Sequence, residues 1–350
     1  MKNFKLFSNV PKLYKSMIND IEKAEKFIYL ETYIYGKDKT GLKFKNALIK
    51  KAREGVKICL LIDGWGSYVD REYFSKLIKL GADVRLFKEF KYFVRIIAKN
   101  HERNHRKLLI IDDKVCYIGS ANIADKFLSW RELSIRLTGN IVKYFILAFM
   151  QTWEIYSEVS KKKIKSFLYR EYEILQDFPN YKHRTTEKKL KKLIRQAKKS
   201  ILIETPYFVP SPSIRKSLKS AVKRKVKVTI ILPHDSSVKI VDLFRDRFLG
   251  NLHQGGIEIK YYMPSTLHTK LLIVDDKYFM FGSSNLDYRS FLHQFELNIF
   301  GKNKYVIREL IKYFNETQKH TEPFNYDQWK NRSSFKKMIE MIISTIEYYL

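Results

Sequence analysis

His105, Lys107, Asp112, Gly119, Ser120 and Asn122 recur as His268, Lys270, Asp275, Gly282, Ser283 and Asn285, at identical offsets. The stretches are HRKLLIIDDKVCYIGSAN and HTKLLIVDDKYFMFGSSN. On a strand, residues two apart share a face, so each His stands beside its Lys. One copy offers an imidazole, a fixed cation and small polar groups, a set that suits a phosphate. Lys107, Lys270, Asn122 and Asn285 are the groups for its oxygens, with Ser120 and Ser283 nearby and a His within reach of phosphorus. Gly119 and Gly282 would let backbone approach a ligand closely.

One imidazole cannot complete the cleavage of a phosphodiester by covalent catalysis. A nucleophile must attack phosphorus, and a separate acid must protonate the leaving oxygen. Two copies supply both if the halves pack about a pseudo-twofold axis with their motifs meeting at one phosphate. His and Asp are also common metal ligands. However, the partner matched in both copies is Lys, which would repel a cation, so no metal is expected.

The elements that must hold these residues are repeated as well. KAEKFIYLETYIY (Lys23 to Tyr35) parallels QAKKSILIETPYF (Gln196 to Phe208), each a helix end followed by a β-rich strand. Helical stretches follow at Gly41 to Arg53 and Ser213 to Arg224, then the strands VKICLLID and VKVTIILP. Another helix, a Gly and a short strand (GADVRLF, GIEIKYY) lead into each motif. Within the motifs LLII and LLIV are continuous apolar runs, as expected of strands buried on both faces. Asp-Asp-Lys is turn chemistry, and VCYIG and YFMFG are return strands. The strands ELSIRL and FELNIF come next, then amphipathic helices near Val142 to Ser157 and Lys304 to Lys319.

Alternating strands and helices predict an α/β fold with mixed sheets, built as two tandem copies of one unit. The halves are expected at 1–165 and 186–320, with a charged connector between them and a C-terminal amphipathic tail at 321–350. Thr185 or Thr186 is placed to cap the helix that opens the second half. In the tail, Phe335, Met338, Ile339, Ile342, Ile346 and Tyr349 fall at helical spacing, and docking of that stripe on the domain is expected.

The 350 residues are enough for cores of this size. A hydrophobic content of 45% with 30% charged residues excludes a disordered chain. The two cysteines, Cys59 and Cys116, lie in apolar runs and form no disulfide framework, which points to an intracellular location. The net charge of +30 favours a polyanion, either nucleic acid or an anionic lipid leaflet, although drift toward Lys would give the same excess. The first twenty residues contain no apolar stretch long enough for a signal peptide. No segment approaches the roughly 20 apolar residues of a membrane span.

The pattern H-x-K-x4-D-x6-G-S-x-N, complete in both copies, resembles the phospholipase D superfamily. The resemblance implies a phosphohistidine intermediate on one His, acid and base work by the other, and no metal cofactor. It implies an acidic residue after each motif that supports the opposing or same-site His. Glu132 and Glu296, 27 and 28 residues beyond their His, stand at matching places. A carboxylate on imidazole Nδ1 fixes the tautomer and favours the imidazolium. Asp112 and Asp275 complete the catalytic signature, and the resemblance gives them a structural part, binding groups across the turn.

YLETYIYGKDKTG, LLIDGWGS and ETPYFVPSPSIRKSL, together with the Asn285 to Ser290 stretch NLDYRS, are similar to bacterial cardiolipin synthases. The similarity runs from about Ile21 to Lys319. It implies transfer of a phosphatidyl group from one phospholipid to a hydroxyl of another, with phosphatidylglycerol as the typical acceptor. By the same analogy His105 is the nucleophile and His268 the acid and base. It also implies a cytoplasmic protein bound peripherally to the inner face of the cell membrane. Many such enzymes begin with two membrane-spanning helices, and this sequence has none. Membrane contact is therefore expected from KEFKYFVRIIAK (Lys88 to Lys99), which interleaves cations with apolar residues, or from the tail. A hydrolase using water and a metal-independent nuclease would need the same motif residues. The sequence carries no signal for an oligomeric state.

Overall fold

A computed structural model describes residues 3–87, 102–156, 164–179 and 184–343. The Lys88 to Lys99 segment, Ile346 and Tyr349 lie outside them. The first half runs β1 (Phe4–Phe7), α1 (Val10–Glu22), β2 (Phe27–Thr32), α2 (Lys39–Arg53), β3 (Lys57–Asp63), α3 (Ser75–Lys79) and β4 (Asp83–Phe87). It continues with β5 (Arg103–Asn104), β6 (Leu108–Ile111), β7 (Val115–Gly119), β8 (Ser134–Thr138) and α4 (Ile141–Glu154).

The second half opens with β9 (Phe167–Tyr169), β10 (Tyr172–Asp177), α5 (Thr185–Gln196), β11 (Ser200–Glu204), β12 (Phe208–Val209), α6 (Pro212–Lys223) and β13 (Lys227–Pro233). Then come α7 (Lys239–Gln254), β14 (Glu258–Tyr262), β15 (Leu271–Val274), β16 (Tyr278–Gly282), β17 (Leu286–Asp287), α8 (Tyr288–Leu292), β18 (Gln294–Gly301) and α9 (Lys304–Gln318). The chain ends on β19 (Thr321–Pro323), α10 (Tyr326–Lys330) and α11 (Ser334–Ile343).

The two sheets have one plan. The first has the order β1-β8-β7-β6-β2-β3-β4, and the second contains β10-β18-β16-β15-β11-β13-β14 in the same sense. In each, three parallel strands meet an antiparallel motif hairpin. The α/β fold with mixed sheets is thus as the sequence leads one to expect. The second half reaches further than 186–320, however. β10 takes the place beside β18 that β1 holds beside β8, with β9 outside it, so the connector contributes strands to the second half, and β19 extends the opposite edge.

Neither Thr185 nor Thr186 caps α5 through its side chain. Asp177, at the end of β10, accepts from both backbone N–H groups at 2.7 and 3.2 Å and does that work. A carboxylate there also complements the positive end of the helix.

Three cores explain why the motif strands are apolar throughout. Leu108 and Ile110 face a central core shared with Leu271, Ile273 and residues of α4 and α9. Leu109 and Ile111 face the outer core under α1 and α2, and Leu272 and Val274 face the one under α5 and α6. Both sheets are therefore covered on both sides, and the halves are joined by a continuous apolar layer. Among the described residues, no helix is long and apolar enough to cross a membrane.

Candidate active site

Each motif histidine is held by the other half. β5, just before His105, pairs in parallel with the start of β18, and the His105 N–H donates to Phe295 O at 3.0 Å. In the same way Arg131 bridges to Leu267, and the His268 N–H donates to Arg131 O at 2.9 Å. These strands carry the glutamates. His105 Nδ1 lies 3.1 Å from Glu296 Oε1, and His268 Nδ1 lies 2.8 Å from Glu132 Oε1. The supporting carboxylate is therefore on the opposing half in both cases. It leaves Nε2 of each ring as the nitrogen for chemistry.

All four motif cations and imidazoles are buried. Lys107 Nζ donates to His105 O at 2.5 Å, and Lys270 Nζ donates to His268 O at 2.7 Å. That leaves two N–H groups on each ammonium. Burial, then the charges of Lys107, Lys270 and His268, hold His105 well below the ordinary imidazole value. Burial lowers His268 to about 4 against the upward pull of Glu132. Burial likewise lowers Lys270 to about 7 and Lys107 well below its usual value. The charges of Lys270 and His268 act on His105, and that of Lys107 on His268, so the two motifs face each other across one site.

The two glutamates differ. Burial raises Glu296 to about 7, only partly offset by Lys107, the Ser283 hydroxyl and Lys270. Burial also acts on Glu132, but His268 and Lys270 outweigh it and hold its carboxyl below the usual range. With the Gln294 amide turned to satisfy its neighbours, its nitrogen donates to Glu296 at 3.0 Å and its oxygen accepts from Arg289 Nε at 3.1 Å. The first half has Trp130 at the place of Gln294, and its ring packs edge-on against His268 at 5.2 Å. Tyr33 packs edge-on against His105 at 5.0 Å.

Other motif residues are placed differently from expectation. The Ser120 hydroxyl donates to Leu133 O at 3.1 Å and accepts from its N–H at 3.0 Å. The Ser283 hydroxyl donates to Glu296 Oε2 and accepts from the Leu297 N–H at 2.9 Å. Both serines are buried and lock the glutamate strand, so they are not free for a phosphate. Gly119 and Gly282 are needed for close approach to that strand, where a ligand approach was expected. An added Cβ would stand 2.3 Å from Leu133 O and Leu297 O respectively. Asn122 Oδ1 accepts from the Ile34 N–H at 3.1 Å, leaving its amide nitrogen available. Asn285 Oδ1 is buried with no hydrogen-bond partner.

Asp112 and Asp275 are not catalytic groups in this structure. Asp112 accepts from the N–H groups of Glu25, Lys26 and Phe27 at 3.2, 2.8 and 3.0 Å. Asp275 accepts from Lys198, Lys199 and Ser200. Burial pushes Asp275 up, but these three donors outweigh it and keep the carboxyl below its usual value. Both residues sit at positive φ, 52° and 56°, which Asp tolerates better than most residues. They fasten each hairpin to the start of its neighbouring strand, at the end remote from the histidines. Asp112→Ala is therefore expected to lower stability by about 1–3 kcal/mol in urea titration. Turnover per folded molecule should fall far less than for a histidine variant.

Sequence reasoning missed Tyr33, Trp130, Arg289 and the Asp63–Arg103 pair. Asp63 accepts from Asn104 N–H at 2.8 Å and lies 3.6 Å from Arg103, pinning the strand that leads to His105. Trp130 stands two residues before Glu132 and Arg289 four after Asn285, but neither spacing by itself directs a side chain to the pocket. Among the described residues, no group of three or more His, Cys, Asp or Glu is placed to hold a metal ion.

The chain is 30% identical to a Clostridium perfringens cardiolipin synthase over 361 residues, covering 97% of this chain and 75% of that protein. It is also 30% identical to the major cardiolipin synthase of Bacillus subtilis, covering 94% and 71%. The fold matches a phosphatidylserine synthase of Haemophilus influenzae with a TM-score of 0.78 at 14% identity, over 100% of this chain and 95% of that one. A family model described as cardiolipin synthase, PLD-like domain, matches at residues 17–153 and again at 190–318. With two such units meeting at one cationic pocket, the chain belongs to the cardiolipin synthase-like family of phospholipase D-superfamily phosphatidyltransferases.

Proposed function

We propose that this chain moves a phosphatidyl group from one phospholipid to a hydroxyl of a second, with phosphatidylglycerol as donor and acceptor. The observation that carries this reading is the crossed pairing of His105 with Glu296 and His268 with Glu132 beside Lys107 and Lys270. His105, neutral and with Nε2 available, attacks phosphorus. The bond from phosphorus to the leaving glycerol oxygen breaks, and His268 Nε2–H protonates that oxygen. His268 then takes the proton of the incoming hydroxyl. Its oxygen attacks phosphorus, the P–N bond breaks, and neutral His105 is restored.

Lys107, Lys270 and the amide nitrogens of Asn122 and Asn285 bind the non-bridging oxygens. Burial and mutual repulsion lower the lysines and histidines, and a bound anion among them raises them again. The ionised Glu132 favours His268 as the group that carries the proton. Glu296, raised to about 7, favours His105 as the neutral nucleophile.

One assay separates the outcomes. Labelled phosphatidylglycerol should give cardiolipin and glycerol, and His105→Ala should give neither. Phosphatidic acid as the main product would make the chain a hydrolase. Metal-independent plasmid degradation lost in His105→Ala would make it a nuclease.

The pocket's charge predicts a second result. Sulfate stays a dianion from pH 6 to 8, whereas Lys270, at about 7, loses its proton over that range. Sulfate binding measured by calorimetry should weaken about tenfold between these pH values. Lys270→Met should reduce that slope to the part left by ionisation of Glu296, which also lies at about 7.

A further inference from the structure

Helix α11 is attached to the domain by its polar side. Arg332 Nε and Nη2 reach the Glu340 carboxylate at 2.9 and 2.8 Å, and Glu340 is buried. Lys336 Nζ reaches Asp246 Oδ2 on α7 at 2.8 Å. Lys336 and Glu340 are four apart and share one face of the helix. The other face carries Phe335, Met338, Met341 and Ile342, which are 67%, 46%, 66% and 59% exposed. A helix that stabilises a globular domain buries its apolar stripe and leaves its charges in water. Here Phe335, Met338 and Ile342 of the stripe expected to dock face away from the domain, while Ile339 is half-buried.

The surroundings say what medium this face meets. On the other side of α7, Arg215, Lys216, Lys219, Lys223 and Arg247 line a groove with no acidic residue in its walls. Lys337 is exposed on α11 itself. A second groove, from Lys336 along α7 to His234 and Lys239, is mixed in charge, with Asp235, Asp242, Asp246 and Glu322 in its walls, so the cations that bear on the argument are those of the first groove. At the start of α7, Val238 and Ile240 are exposed, and Ser237 just before them bonds Tyr207 at 2.7 Å. The apolar stripe and the basic groove thus both adjoin α7.

We propose that the Phe335–Met338–Met341–Ile342 face of α11 is an interfacial anchor that lies in the surface of an anionic phospholipid bilayer. The basic groove beside α7 holds lipid phosphates next to it. This rests on the phospholipid reading given above and names the surface that brings the pocket to its substrate. Apolar side chains enter the headgroup boundary while nearby cations meet anionic heads, so binding needs both.

The test is cosedimentation of the full chain with sucrose-loaded vesicles of phosphatidylcholine and phosphatidylglycerol at 7:3. The wild type should pellet with these vesicles, less so at high salt, and weakly with pure phosphatidylcholine. Phe335→Ser/Met341→Ser should melt as the wild type does, and its partition coefficient should fall by at least about tenfold. Equal partitioning of wild type and double variant, or no binding by the wild type, overturns the anchor. So does a wild-type dimer in light scattering that the double variant dissociates, because a second copy would then cover the face. Vesicle binding without turnover of phosphatidylglycerol would sink the functional reading and leave the anchor standing.

Discussion

A His268→Ala variant supplied with a phosphodiester bearing a nitrophenolate leaving group is expected to accumulate a covalent adduct on His105. Nitrophenolate departs without a proton, so formation of the P–N bond survives loss of the acid. The second step needs a base to activate the incoming hydroxyl, and that base is gone. With a natural lipid, whose alkoxide must be protonated, turnover should fall roughly 10²–10⁴-fold or more. Peptide mass spectrometry locates the adduct. The assignment follows from the unequal glutamates, because Glu132, held ionised, supports a protonated His268, whereas Glu296 is raised to about 7. An adduct found on His268 in a His105→Ala variant, with none on His105 in His268→Ala, reverses the roles.

The largest effect on stability is expected at Arg106, between His105 and Lys107 of the first motif. Its side chain is buried and points away from the pocket, 3.2 Å from Glu31, with bonds to Gln176 at 2.9 Å and Ala148 O at 3.1 Å and a close contact to Thr152. It joins β2, α4 and β10, and so fastens the second sheet to the first half. Arg106→Met leaves Glu31 buried without its counter-charge, which costs about 3–5 kcal/mol for such pairs.

The second half shows how Glu31 would respond. Glu204 holds the matching place, but the residue facing it in the motif is Thr269, which bonds Tyr313 at 2.5 Å. Both Glu204 oxygens are buried without a hydrogen-bond partner, and burial raises the carboxyl to about 8 even against the charge of Arg131. A carboxyl with a folded-state value above its unfolded one stabilises below the unfolded value and loses that contribution as pH rises. The deficit of Arg106→Met should therefore be larger at pH 8 than at pH 5 in paired urea titrations. An equal deficit at both would mean that Glu31 stays ionised in the variant.

Much of this was readable from the chain. The α/β plan, the motif hairpins and the strands that follow them come from local periodicity, which is set by which faces are covered. The repeat itself argued for a shared site, because a phosphodiester exchange needs two imidazoles in different roles. Those are properties of residue types and offsets, and offsets are conserved along a strand or a turn. The left-handed Asp112 and Asp275 belong with them, since Asp at a turn is a local signal.

Other features depended on contacts between residues far apart in sequence. Which glutamate serves which histidine was open, and the crossed pairs are separated by 191 and 136 positions. Ser120 and Ser283 look like ligand groups in the motif and are spent on the glutamate strands. β10 looks like a connector because its partner, β18, lies more than a hundred residues on. The tail's apolar stripe was legible as a stripe, but its direction was not. A helix shows which residues share a face; which face meets the domain is decided by the groups waiting on the other surface, here Asp246. Residue types and spacing alone determined the two matched His-Lys hairpins and the α/β units that carry them. Only the tertiary structure decided how charge is shared between them, because burial and neighbouring charges, not residue type, set each proton's affinity.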